Sequence, residues 1–258
     1  MTILIDGNNL MHIEMGIGAK PGSGHPIRSL YNKLSTYNDL TIIVWDGYDS
    51  RSRRQELFPD YKMQRGEKGE DVYAMFKLFQ NLMLNSSAMQ ISVPTWEADD
   101  VIFTLAKYFS STGDQVVIHT NDADYLQMAD LPGISLPYIR PWAWGADLLT
   151  TYKAIVGDPA DNIPGMPGFG EGSWGHVRTY HETLREALSE NNWALWQTIP
   201  FPKRCQRACM DKGNFDKCVL FFKVVTMMDV PIDDIIANQK LGTHNPVMAE
   251  QILRQYLL

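Results

Sequence analysis

Three short apolar runs in the first half of the chain each stop at, or just before, an aspartate. Ile3-Leu4-Ile5 ends at Asp6, Thr41-Ile42-Ile43-Val44-Trp45 ends at Asp46, and Val116-Val117-Ile118-His119 leads to Asp122 and Asp124. Continuous runs of this length read as strands buried on both faces, and such strands belong to a parallel sheet covered by helices. The intervening sequence agrees: Val72, Met75, Phe76, Phe79, Leu82 and Met83 fall at helical spacing, as do Val101, Leu105 and Tyr108. Strand alternating with helix is the α/β signature. In open sheets of this class the functional crevice lies beyond the carboxyl ends of the strands. One aspartate there is a turn residue; three converging on one sheet edge mark a site.

At 258 residues the chain has room for one large domain or two small ones. From about Gly145 the pattern turns helical and loop-rich, and residues 157–170 are dense in glycine and proline. No linker separates the regions, so the expectation is an α/β domain over 1–155 and a helical region over 156–258, packed as one body. Cys205, Cys209 and Cys218 are odd in number, which argues for a reducing compartment rather than a disulfide framework. No nearby histidine completes a metal site with them. There is no signal-like N-terminus and no apolar run near the roughly 20 residues a bilayer span needs, so an intracellular, membrane-free protein is expected.

Nine carboxylates stand out: Asp6, Asp46, Glu97, Asp99, Asp100, Asp122, Asp124, Asp158 and Asp161. Glu97 and Asp100 lie three apart at the start of a predicted helix, with Thr95 as the expected N-cap. Asp99 points elsewhere on an ideal helix, toward a different ion or none. Asp158 and Asp161 share the same three-residue spacing beside Pro159, where a helix can begin. Gathered carboxylates raise one another's pKa unless cations neutralise them. With no convergent His or Cys, the hard oxygen set suits two or more Mg²⁺ ions, with Mn²⁺ as substitute, and disfavours zinc. Two such ions about 4 Å apart would clamp a phosphoryl group for in-line attack by water. The net charge of −7 opposes phosphate binding at first sight, but setting the nine aside leaves 21 acidic against 23 basic residues. Basic residues gather at 51–68 and 203–217, flanking an acidic pit.

In their order along the chain, these residues resemble the flap endonucleases and 5′–3′ exonucleases of phages and of the N-terminal part of bacterial DNA polymerase I. The blocks are Asp6-Gly7-Asn8-Asn9, Val44-Trp45-Asp46-Gly47, Pro59 to Arg65, Glu97-Ala98-Asp99-Asp100, Asp122 to Gln127, Gly157 to Gly165, and Gly168-Phe169-Gly170. The resemblance covers about residues 3–175. It implies an α/β fold with a PIN-like parallel-sheet nuclease core, a helical arch at about 62–88, and a helix–three-turn–helix region that grips duplex DNA.

The resemblance further implies that the nine carboxylates form one metal pocket, that Lys62 and Arg65 are catalytic, and that Tyr61 lies beside them at the base of the arch. Lys62 as a point charge and Arg65 as a fork suit phosphate charge that grows during attack. Tyr61 and Tyr73 are candidates for stacking on bases. Gly165, Gly168 and Gly170 would bring backbone N–H groups close to phosphate ahead of a helix, with K⁺ held at the same turn. Here the sequence departs from the family: Gly172-Ser173-Trp174 replaces the usual Lys-Thr-Ala, and Asn121 and Ala123 are unusual beside Asp122 and Asp124. Ser173, Lys203, Arg204 and Arg207 complete the expected DNA contacts. The expected activity is a divalent-metal-dependent 5′ nuclease, monomeric and free-standing, acting on DNA with a 5′ flap or end beside duplex and on RNA–DNA hybrids. The alternatives are a PIN-type ribonuclease and an inactive junction-binding protein.

Overall fold

The computed structural model describes residues 1–17, 26–37, 39–66, 69–142 and 145–256. The chain runs through β1 (Thr2–Asp6), α1 (Gly7–Ile17), α2 (Pro26–Ser35), β2 (Leu40–Val44), α3 (Ser52–Leu57), α4 (Glu70–Met83) and β3 (Met89–Ile91). It continues through α5 (Ala98–Ser111), β4 (Val116–His119), β5 (Ile134–Ser135), α6 (Leu149–Val156), α7 (Glu171–Val177), α8 (His181–Ser189) and α9 (Trp193–Trp196). It closes with α10 (Lys203–Cys209), α11 (Lys212–Val225), α12 (Ile232–Ala237), β6 (Gln239–Leu241) and α13 (Pro246–Tyr256).

Two compact units share these elements, and the partition is not sequential. The first comprises Met1–Ser50, Glu67–Arg140 and Met228–Leu258; the second comprises Arg51–Gly66 and Pro141–Met227. This partition divides the chain differently from the expected 1–155 and 156–258. The chain visits the second unit early, for 16 residues, and returns to the first unit at Met228. The physical reason for the return is pairing and burial: β6 adds to the sheet against β3, and Ala249 and Leu253 of α13 fill the first unit's core.

In the first unit a six-stranded sheet has the order β5-β4-β1-β2-β3-β6. Every pairing is parallel except β3 with β6. All five residues of β1 are buried, as a central strand covered on both faces must be. The register sets Asp6 opposite Val44 and Ile5 opposite His119, so β1, β2 and β4 finish together at one edge. Their ends align the aspartates. Phe76, Phe79, Leu82 and Met83 of α4 pack with Ile3, Ile5, Ile43 and Trp45 in one core. Removing a fully buried leucine such as Leu82 would cost about 2–5 kcal/mol. The segment expected as an arch thus contributes α4, whose second half is core; its residues 67 and 68 lie outside the described residues.

The second unit is helical, built around Trp174, Trp196, Phe215, Leu184 and Val177. Cys205, Cys209 and Cys218 are buried free thiols in that core. Burial pushes the Cys218 thiol up to about 12, so it packs as a small neutral hydrophobe. Among the described residues, no helix is long and apolar enough to cross a membrane.

Candidate active site

Seven of the nine carboxylates singled out by sequence lie in the first unit, and two lie in the second. In the first unit, Asp6 closes β1 and is 7% exposed. Its Oδ1 accepts the Asn9 N–H at 2.9 Å, and its Oδ2 accepts the Tyr125 hydroxyl at 3.0 Å. Burial pushes the Asp6 carboxyl up to about 7 against those two hydrogen bonds, and Asp46 and Asp122 push it further in the same direction. The Tyr125 phenol is raised well above its usual range by burial and by Asp6, Asp99 and Asp122, so it stays a neutral donor.

Asp46 leaves β2 through a turn that admits only glycine next. A Cβ on Gly47 would sit 1.8 Å from the Val93 carbonyl oxygen. The Asp46 carboxylate is fixed from two sides, accepting from Asn8 Nδ2 at 2.8 Å and from the Ala98 N–H at 3.0 Å. The second bond ties the start of α5 to the end of β2. Glu97 is the N-cap of α5 with extended backbone, whereas Thr95, the expected cap, stands two residues earlier at φ 65°. With Glu97 outside the first turn, the ideal-helix argument that separated Asp99 fails. Carboxylate oxygens of Glu97, Asp99 and Asp100 all lie within 4.8 Å of one another. Asp100 is fully buried and its Oδ1 accepts the Met228 N–H at 2.8 Å.

Beyond β4, Asp122 caps the short turn Ala123–Met128 by accepting the Asp124 N–H at 3.0 Å. Asn121, unusual for the family, exchanges hydrogen bonds with Asn9: Asn9 Nδ2 to Asn121 Oδ1 at 2.8 Å, and Asn121 N–H to Asn9 Oδ1 at 3.1 Å. Asn8, Asn9, Asn121 and Tyr125 are the site residues that sequence reasoning assigned no role. Their signal was a run of amides directly after a buried strand, and a tyrosine beside two aspartates.

In the second unit, residues 60–65 are fastened onto the turn 158–162. Lys62 has φ 52°, and its N–H donates to the Asp161 carbonyl at 3.1 Å. Its Nζ lies 3.7 Å from Asp161 Oδ1 and 4.7 Å from the centre of the Tyr61 ring. Arg65 Nη2 reaches the same oxygen at 2.8 Å. Asp158 caps the turn through the Ala160 N–H at 2.9 Å and pairs with Lys153 Nζ at 2.7 Å. Burial raises the Asp161 carboxyl; Lys62 opposes the shift and Asp158 adds to it. The Asp158–Asp161 segment is a single 3₁₀ turn rather than the start of a longer helix. Gly165 closes the loop at φ +68°, where a Cβ would meet the Gly157 nitrogen at 2.6 Å.

The expected DNA contacts divide by exposure. Gly168 and Gly170 have open space above them, and Lys203, Arg204 and Arg207 are exposed on α10. Tyr61 and Ser173 are buried, which removes them as direct contacts. The Tyr61 ring supports Lys62. The Ser173 hydroxyl accepts from Arg204 Nε at 2.9 Å and so orients that guanidinium over Gly172. Tyr73 is exposed.

A family model described as 5′-3′ exonuclease, N-terminal resolvase-like domain, matches residues 1–143. The thermostable DNA polymerase I of Thermus thermophilus is 30% identical over 75% of this chain, which spans 27% of that protein. The match thus spans only about a quarter of the length of that relative. A 5′-3′ exonuclease of Aquifex aeolicus is 23% identical over 81% of this chain and 73% of its own. Among solved structures, the T5 5′-exonuclease with bound zinc has the same fold, with a TM-score of 0.62 at 19% identity over 100% of this chain and 98% of its own.

Proposed function

Because the chain belongs to the 5′-3′ exonuclease family, matched over more than half its length, we propose that it is a divalent-metal-dependent 5′ nuclease. Its substrate is DNA carrying a 5′ flap or end beside duplex, and its products carry 5′-phosphate and 3′-hydroxyl ends. The observation that carries this reading is the set of carboxylates at the edge of the first unit's sheet, with Asp6, Glu97 and Asp100 buried and Asp46 and Asp122 exposed. Burial, with Asp46 and Asp122 adding, pushes the Asp6 carboxyl up to about 7, and Glu97, Asp99 and Asp100 bring oxygens within 4.8 Å of one another. Such a set is stable with cations in place and strained without them.

The donor chemistry fits the group. All of these donors are carboxylate oxygens, which suits Mg²⁺, with Mn²⁺ substituting. Asp6, Asp46, Glu97, Asp99, Asp100, Asp122 and Asp124 would hold ions in the first unit, and Asp158 and Asp161 are the further ligands proposed in the second. When bound, such ions supply Lewis-acid stabilisation of charge on phosphoryl oxygens. The protein's own part is orientation. Tyr125 and Asn9 fix Asp6, Asn8 and the Ala98 N–H fix Asp46, and both leave lone pairs for a cation. Exposed Arg65 and, buried beside the Tyr61 ring, Lys62 are the proposed cationic donors for substrate phosphate, and both now pair with Asp161. A K⁺ ion at the glycine turn rests on the family resemblance alone.

The test is cleavage of a 5′-flap oligonucleotide in Mg²⁺, labelled at either end, beside the matching RNA strand. The wild type should release a 5′ fragment from DNA, and Asp122→Asn with Asp124→Asn should lower the rate by at least about a hundredfold. Retained activity in that variant, or cleavage of RNA alone, would overturn the proposal.

A further inference from the structure

Outside the carboxylate edge, the first unit contains a half-open cavity of about 440 Å³ between α4, β3 and the α12–β6 segment. That volume falls in the range of small-molecule sites, roughly 300–1,000 Å³. Its floor is rigid: Trp45 Nε1 donates to Gln90 Oε1 at 3.0 Å, and Gln90 Nε2 donates to the Gln80 carbonyl at 2.9 Å. Lys77 and Lys240 stand on its wall, and the lining contains no carboxylate. The side-chain amides of Asn81, Asn238 and Gln239 share that wall.

We propose that this cavity binds a single nucleoside 5′-monophosphate. Two lysines in a lining that holds no carboxylate suit a phosphate dianion, for which lysine acts as a point charge; the Lys77 ammonium now lies over the Tyr73 ring, 5.1 Å from its centre. Carboxamides offer a donor and an acceptor side by side, the pattern that pairs with a base edge, adenine above all; Asn81 and Gln239 would supply it, since Asn238 Nδ2 already donates to the Asp234 carbonyl at 2.8 Å. The cavity is of a size for one nucleotide and too small for a folded oligonucleotide. The carboxylate site is close at hand: Trp45 immediately precedes Asp46, and Ser92, also in the lining, donates through Oγ to the Asp46 carbonyl at 3.2 Å. The ligand class follows from the lining; that it is also what an exonuclease releases rests on the proposed function.

The experiment is thermal melting of the full chain in EDTA, where a metal-dependent site has no ion to recruit phosphate. The ligands are dAMP, deoxyadenosine and inorganic phosphate. At about ten times its Kd, dAMP should raise the melting midpoint of the wild type by about 2 °C or more. Deoxyadenosine and inorganic phosphate should give less than half that shift at equal concentration. The exposed-lysine variant Lys77→Ala/Lys240→Ala, whose folding is checked by its ligand-free midpoint, should lose the dAMP shift. The Asp122→Asn/Asp124→Asn variant should keep it. No shift with dAMP, an equal shift with phosphate, or a shift that survives the lysine variant each overturns the assignment. Because no cleavage is read, a failure of the nuclease reading leaves this outcome unaffected.

Discussion

Asp6 is the side chain with the most to gain from a cation. It is buried, and its carboxyl is pushed from 3.8 up to about 7 by burial, with Asp46 and Asp122 adding to the shift. The sign of the consequence is fixed by linkage. A carboxyl whose folded pKa is raised favours folding while protonated, fully so below about pH 4, and loses that contribution as pH climbs through about 7. In chelator, the protein should therefore lose stability between about pH 4 and pH 7, by at most about 4 kcal/mol from this group. Asp6→Asn removes the charge that causes the loss. At pH 8 in EDTA it should melt higher than the wild type, while Mg²⁺-dependent cleavage disappears. Thermal melts across pH 5–8 check this; a wild-type curve flat with pH, with no gain in the variant, would contradict it. The carboxylates were legible in the sequence because charge at the end of an apolar strand has no structural use of its own. Ser173 and Tyr61 were misplaced because exposure is a property of packing: both have polar groups, and both are turned inward by neighbours distant in sequence.

At the scale of elements, the alignment of strand ends decides whether those carboxylates meet. β1 and β2 were readable because a strand buried on both faces needs a continuous apolar run, and β4 keeps a similar run with Val117 and His119 half-buried. β6 was not, because Gln239, Lys240 and Leu241 are all exposed and the strand is defined by its backbone pairing with β3. The interleaved units escaped sequence reading for a related reason. The return at Met228 is marked by a backbone N–H reaching buried Asp100, a contact without residue-type signature. The turn after β2 makes a sharp prediction. Gly47 lies against the Val93 carbonyl, with no room for a methyl group. Gly47→Ala should force the chain between Asp46 and the start of α5 apart, destabilising by about 1–3 kcal/mol. It should also reduce cleavage by more than the loss of folded protein, since Asp46 loses its bond from the Ala98 N–H. The melting midpoint and the specific activity of the folded fraction, measured together, decide between displacement and mere destabilisation.

For the molecule as a whole, net charge alone misleads. The chain carries −7, yet much of its acidity is gathered at one sheet edge in the first unit and one turn in the second, and that turn is already paired with Lys62 and Arg65 through Asp161. Such a distribution makes sense for a protein whose acidic face is neutralised by bound ions before it meets a polyanion. The most direct test is anomalous X-ray scattering from crystals of the protein soaked in Mn²⁺. Peaks are predicted about 2.0–2.5 Å from oxygens of Asp6, Asp46, Glu97, Asp99, Asp100, Asp122 or Asp124. An absence of peaks at these oxygens, or peaks only on carboxylates elsewhere on the surface, would contradict the account.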